Sequence, residues 1–277
     1  MKDIRIAAAV FQSRLLETDH NLDRMAGLIR RAGDRGAAVI CFPEMNITGY
    51  TSRSEIEAVA EPIPGPITGR LCRMAEADDI VILAGMAERD GEDLIYVSHL
   101  VVEPSGKISV YRKLHIAPPE KGVYSPGETI PLFEIEGILC GIQLCYDAHF
   151  PELSTLMTQR GADVLFMPHA SPRGTPEDKY RSWSRHLPAR AFDNSLYVIA
   201  CNQTGVNANG LRFPGIAMVI DPSGNVMAKD LSDREGIVVA DLSAAALDRV
   251  RSHKMRFFFP NRRPGLYRRE GPRRSSG

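Results

Sequence analysis

The sequence has no excess of charge of either sign. Its 34 Lys and Arg balance 34 Asp and Glu over 277 residues, which removes any global electrostatic case for nucleic acid. It has no apolar run near the roughly 20 residues that cross a bilayer. The start, MKDIRIAAAVFQS, mixes charged and β-branched residues and lacks the long apolar core of a secretion signal. Cysteine is scarce. Cys41, Cys72, Cys140, Cys145 and Cys201 are odd in number, scattered, and never at CxxC spacing. That argues against a disulfide framework or a zinc site and for a reducing, cytoplasmic setting. No Gly/Ser-rich linker divides the chain, so one domain over 1–277 is expected. Residues 256–277 form a C-terminal arm, and its basic RRPGLYRREGPRRSSG reads as a solvated or subunit-crossing segment.

What is present is alternation of strand-like and helix-like runs. Ile4–Phe11, Ala37–Phe42, Asp79–Met86, DVLFMP, LYVIACN and GIVVADL read as strands. Asn21–Asp34, Ile67–Ala77, Pro151–Arg160, Glu177–Asn194 and a short stretch near Ala244–Arg249 read as helices. Two hairpins turn on Pro-Ser-Gly, one before Lys107 and one before Asn225. The order resembles one αβ unit used twice and predicts an α/β fold of two packed sheets with helices outside, a four-layer α-β-β-α sandwich.

Sites on such folds collect at the carboxyl ends of strands. Three strand ends here carry a reactive side chain each: Glu44 after VICFP, Lys113 after VYR, and Cys145 after GIQL. A thiol needs a base to become the nucleophile. A buried carboxylate can take its proton, and an ammonium with a backbone N–H can hold an oxyanion. The set suits acyl transfer. Each residue also has a plain structural role open to it: Cys145 as a small core residue, Glu44 as a cap, Lys113 as a solvated hairpin cation. His115, His149 and His169 lie near strand ends too, so a Cys–His pair stays open on chemistry alone. Cys140, on the strand itself, reads as core.

The segments around these residues carry more. FPEMNITGY (Phe42–Tyr50), YRKLHI (Tyr111–Ile116) and GIQLCYDAHFPEL (Gly141–Leu153) resemble, in order and separation, the three signature segments of the nitrilase superfamily of carbon–nitrogen hydrolases. SPGE, GADVLFMPHAS, ARAFDNSLYVIACNQTG and RRPGLY extend the resemblance over nearly the whole chain. It implies the same four-layer fold and a Glu44–Lys113–Cys145 triad. It also implies Glu120 as a supporting carboxylate, the Tyr146 backbone N–H as an oxyanion donor, and no metal or organic cofactor. Assembly as a homodimer or larger homo-oligomer follows as well.

The Cys145-Tyr146-Asp147 sequence resembles the amidase and N-carbamoyl amidohydrolase branches. The implied activity is hydrolysis of a small linear amide or N-carbamoyl compound through a Cys145 thioester, with release of ammonia. A nitrilase, or a catalytically idle binding member of the same fold, is the alternative. Pocket walls are expected from residues 46–53 and 169–183, which nominates Tyr50, His169, Arg173 and Trp183 for substrate binding. The other cations there, Lys179, Arg181 and Arg185, suit a carboxylate-bearing substrate or a solvated helix face.

Overall fold

The computed structural model describes residues 1–91 and 94–267. The first half runs β1 (Ile4–Val10), α1 (Thr18–Asp34), β2 (Val39–Cys41), α2 (Pro66–Asp78), β3 (Val81–Arg89), β4 (Ile95–Val102) and β5 (Ile108–Arg112). The second runs β6 (Phe133–Ile135), β7 (Ile138–Ile142), α3 (Pro151–Gln159), β8 (Val164–His169), α4 (Pro176–Trp183), α5 (Leu187–Asn194) and β9 (Tyr197–Asn202). It continues through a small ribbon, β10 (Gly205–Val206) and β11 (Arg212–Phe213), to the hairpin β12 (Ala217–Ile220) and β13 (Val226–Asp230). β14 (Gly236–Leu242), α6 (Ala244–Arg251) and the short α7 (Pro264–Tyr267) follow. Residues 268–277 of the expected arm lie outside the described residues.

Two six-stranded mixed sheets result, ordered β14-β1-β2-β3-β4-β5 and β13-β12-β9-β8-β7-β6. In each, three central strands are parallel, a hairpin extends one side, and one antiparallel strand borders the other. The repeat is therefore real at the level of topology, with one exchange. β6 reaches its place from the adjacent chain, whereas its counterpart β14 arrives from the far end of the sequence and pairs with β1 from Ile4↔Leu242 to Val10↔Gly236.

β1 shows how the layers form. Ile6, Ala8 and Val10 enter the core between the sheets, while Ala7, Ala9 and Phe11 join the core under the outer helices. A parallel strand covered on both faces reads as a continuous apolar run, as this one does. Phe11 meets Phe42 edge-on at 5.7 Å between ring centroids.

The expected helix over Glu177–Asn194 is two helices. Pro188 occupies the first turn of α5. Inside one continuous helix it would remove a hydrogen bond and clash with the carbonyl of residue 184, so the chain breaks there and restarts. The Thr175–Asp178 capping box starts α4: Thr175 Oγ1 accepts the Asp178 N–H at 3.1 Å, and Asp178 Oδ2 accepts the Thr175 N–H at 3.1 Å.

Candidate active site

β2, β5 and β7 end near one another, and the residues just beyond them converge. Glu44 follows β2 on a tight turn held from several sides. Gln203 Nε2 donates to the Glu44 carbonyl at 2.8 Å, and Asn46 Oδ1 accepts the Gly85 N–H at 2.8 Å. Gly85 has to be glycine, since a Cβ there would stand 2.5 Å from the Met45 nitrogen. The bare backbone of β3 thus lets the Glu44 turn lie directly on it.

Lys113 is the next residue after β5 and is fully buried, as is Glu44; Glu120 is nearly so. Lys113 Nζ donates to Glu44 Oε1 at 2.7 Å and to both oxygens of Glu120, at 3.0 and 2.9 Å. Glu120 is fixed in turn by the Tyr50 hydroxyl at 3.1 Å and the Ala117 N–H at 3.0 Å. Glu44 Oε2 accepts the Ala170 N–H at 2.9 Å.

Cys145 lies beyond β7, at the first residue of a 3₁₀ turn over Cys145–His149, with φ of 44°. A left-handed conformation at a non-glycine residue is strained, and this one aims the side chain off the strand tip. Cys145 is partly exposed, while Cys41, Cys140 and Cys201 are buried. Tyr146 is the second residue of the turn, so its N–H has no acceptor within it.

Electrostatics fit a proton relay. Burial raises the Glu44 pKa above the usual carboxylate range; Lys113 opposes this and Glu120 reinforces it. Burial alone would favour a neutral Lys113, but the two glutamates outweigh it and hold the ammonium well above its ordinary range. Burial pushes the Cys145 thiol up and Glu44 pushes it further, against the pull of Lys113. The resting sulfur is therefore a neutral thiol beside a carboxylate poised to accept its proton.

A histidine base finds no support in the geometry. His115 Nδ1 lies 2.7 Å from Asp147 Oδ1, and its ring stacks on Phe150 at 3.7 Å. His149 stacks on His186 at 4.6 Å, and His169 Nδ1 lies 2.7 Å from the Met167 carbonyl. Burial leaves His169 neutral, far below the usual histidine range.

The four nominated binding residues separate. Tyr50 is buried beside the cluster, but its hydroxyl serves Glu120. His169 and Trp183 pack ring against ring at 4.4 Å, both buried, at the end of β8 and of α4. Arg173 stands apart: it is exposed, has φ of 73°, and among the described residues bonds through its backbone N–H to the Arg212 carbonyl at 2.8 Å.

In the sequence Asp147 marks the family branch and carries no assigned role in the site. It is fully buried and its carboxylate faces the protein. It accepts the Tyr111 hydroxyl at 2.8 Å, the His115 N–H at 2.9 Å and the Leu144 N–H at 3.1 Å. The signal was its place three residues after Leu144 at a strand-to-helix turn, where an acid closes a capping box.

A four-layer sandwich with a thiol beside a buried Glu–Lys–Glu cluster at its strand ends defines the class of thiol-dependent amidohydrolases. Comparison with known proteins agrees. The family model described as carbon-nitrogen hydrolase matches residues 5–252, and the chain belongs to that family. It is 30% identical to a nitrilase of Pyrococcus abyssi over 274 residues, covering 95% of this chain and 99% of that one. It is 32% identical to an (R)-stereoselective amidase of a Pseudomonas species over 213 residues, covering 76% of this chain and 75% of the relative. Among solved structures, an amidase from Nesterenkonia sp. AN1 superposes with a TM-score of 0.84 at 27% identity, over 96% of this chain and 98% of that one. A variant of that amidase was solved with the acetamide moiety of fluoroacetamide covalently added at its active-site cysteine.

Proposed function

We propose that the chain hydrolyses small linear amides or N-carbamoyl compounds through a thioester on Cys145. The observation that carries this reading is the Lys113 ammonium held between Glu44 and Glu120 beside the cysteine. Glu44 takes the Cys145 proton as the sulfur attacks the carbonyl carbon. The carbonyl π pair moves to oxygen, where Lys113 and the Tyr146 N–H hold it. Collapse breaks the C–N bond, and Glu44 returns the proton to the leaving nitrogen as ammonia departs. Water then gives a proton to Glu44 and attacks the thioester. The carboxylic acid leaves, and the proton returns to the sulfur. Glu120 takes no proton in this scheme; it fixes Lys113 and balances its charge. No step calls on a metal or organic cofactor.

The test is acid quenching of wild-type protein during turnover of a panel of aliphatic amides, ω-amides, N-carbamoyl amino acids and nitriles, read by intact mass and peptide mass mapping. The reading predicts an adduct of the substrate's acyl mass on the peptide carrying Cys145. An adduct on another residue, from a substrate that is turned over, would overturn it. The Pyrococcus abyssi relative is named a nitrilase, so the nitrile arm separates the second reading.

Assembly as a homo-oligomer belongs to the same proposal. Phe192 and Phe258 are exposed with ring centroids 5.4 Å apart, and Met255 is 78% exposed, a grouping of apolar side chains that suits an interface. Sedimentation velocity tests it. All five cysteines are free thiols, which fits residence in the cytoplasm.

A further inference from the structure

We infer that Lys179 reads the non-reacting end of the substrate, and that this end carries a carboxylate. The inference rests on the reading of Cys145 as nucleophile and adds a substrate class to it.

Of the cations between residues 169 and 185, Lys179 alone combines an inward position with a free charge. Arg181 is exposed and held by Asp178 at 2.6 Å; Arg173 and Arg185 are exposed. Lys179 is half-buried, and its Nζ donates to Ser171 Oγ at 2.7 Å and to the Pro172 carbonyl at 3.2 Å. Both acceptors are neutral. An ammonium carries three donors, and among the described residues no carboxylate takes the third.

Position links it to the site. Ser171 follows Ala170, whose N–H is bonded to Glu44. Ser171 is itself clamped by Asn202, which accepts its N–H at 2.8 Å and donates to its carbonyl at 3.1 Å. Trp183, one helical turn on from Lys179, lies on the same face of α4 and packs on His169. Lys179 therefore stands on the face of that helix turned toward the end of β8, where Ala170 meets Glu44. Burial lowers its pKa, and the Cys145 sulfur acts against this only once it has lost its proton.

The electrostatics point the same way. Glu44, Lys113 and Glu120 together leave one excess negative charge, which repels an anionic substrate. A desolvated cation without a carboxylate is unfavourable in the free protein. A substrate carboxylate relieves that state and offsets the repulsion from the glutamates. A neutral amide does neither.

The experiment compares the monoamide of a short dicarboxylic acid with its methyl ester, of nearly equal length, in wild type, Lys179→Met and Lys179→Arg. The proposal expects wild type to favour the acid in kcat/KM. Lys179→Met should lower that acid-to-ester ratio at least tenfold, mainly through KM, and Lys179→Arg should keep most of it. A ratio that Lys179→Met leaves within twofold of wild type overturns the proposal. Calorimetric binding of the same two amides to Cys145→Ala protein reads selectivity without turnover. There, a preference for the acid that Lys179→Met removes supports the proposal, and equal binding of acid and ester overturns it. Turnover of either amide by Cys145→Ala would sink the nucleophile reading alone and leave the binding result standing.

Discussion

Asp147 Oδ2 accepts the Tyr111 hydroxyl at 2.8 Å with both side chains fully buried. The bond joins the end of β5, two residues before Lys113, to the turn that carries Cys145. The other oxygen of Asp147 holds the His115 N–H, two residues after Lys113. One carboxylate thus ties the segment of Lys113, the proposed oxyanion cation, to the turn of Cys145, the proposed nucleophile. Tyr111→Phe removes a single bond to it. We expect a stability loss of about 1–2 kcal/mol by thermal denaturation, and a fall in kcat at temperatures where the variant is fully folded. Full kcat with lowered stability would show that the bond supports the fold alone.

In the proposed mechanism Glu44 has to be ionised to take the thiol proton, and burial raises its pKa. The acid limb of kcat/KM should therefore lie above the ordinary carboxylate range, with activity falling as pH drops through the raised value. Glu120→Gln removes a negative neighbour that raises the Glu44 pKa, so the limb should move to lower pH. A limb unmoved or moved upward would contradict the assignment of Glu44 as base. Glu44→Gln should lower kcat by about 10²–10⁴-fold, the usual worth of a general acid–base.

A methyl at Gly85 would stand 2.5 Å from the Met45 nitrogen and 3.3 Å from the Glu44 carbonyl carbon. Gly85→Ala should destabilise the protein by roughly 1–3 kcal/mol and displace Glu44, costing activity as well. Gly27→Ala is the control. It lies within α1 with nothing within 4 Å of the added carbon, and should stabilise by up to about 1 kcal/mol. Differential scanning calorimetry with initial rates checks both.

A neutral resting thiol predicts selective labelling. Chloroacetamide carries an amide that can sit against Lys113, so it should alkylate Cys145 faster than Cys72, the other cysteine with some exposure. Glu44→Gln should slow labelling at Cys145 and leave Cys72 unchanged, as read by peptide mass mapping. Equal rates at the two cysteines would mean that the cluster does not activate the sulfur.

The strands that carry the site were legible because each feature there is local. Apolar runs end at Pro43, at Lys113 and at the Cys145 turn, and a reactive side chain follows each one. The four layers followed from the element order. Pairing of β14 with β1 was not legible, since it joins residues 236–242 to 4–10 and nothing local distinguishes it from pairing within the second half. The break in the expected helix has a local mark in the sequence, Pro188. The capping position of Asp147 is local, but its bonds to Tyr111 and His115 are not legible, because those partners are distant in sequence. Nothing local separates Lys179 from Arg173, six residues apart, of which one turns toward the end of β8 and the other faces solvent.

The central claim is that the Cys145 sulfur is the nucleophile. Its most direct measurement is ammonia release by Cys145→Ala from the amide that the wild-type protein hydrolyses best. The account predicts no release above the uncatalysed background from a variant as stable as wild type. Release within tenfold of the wild-type rate would contradict it.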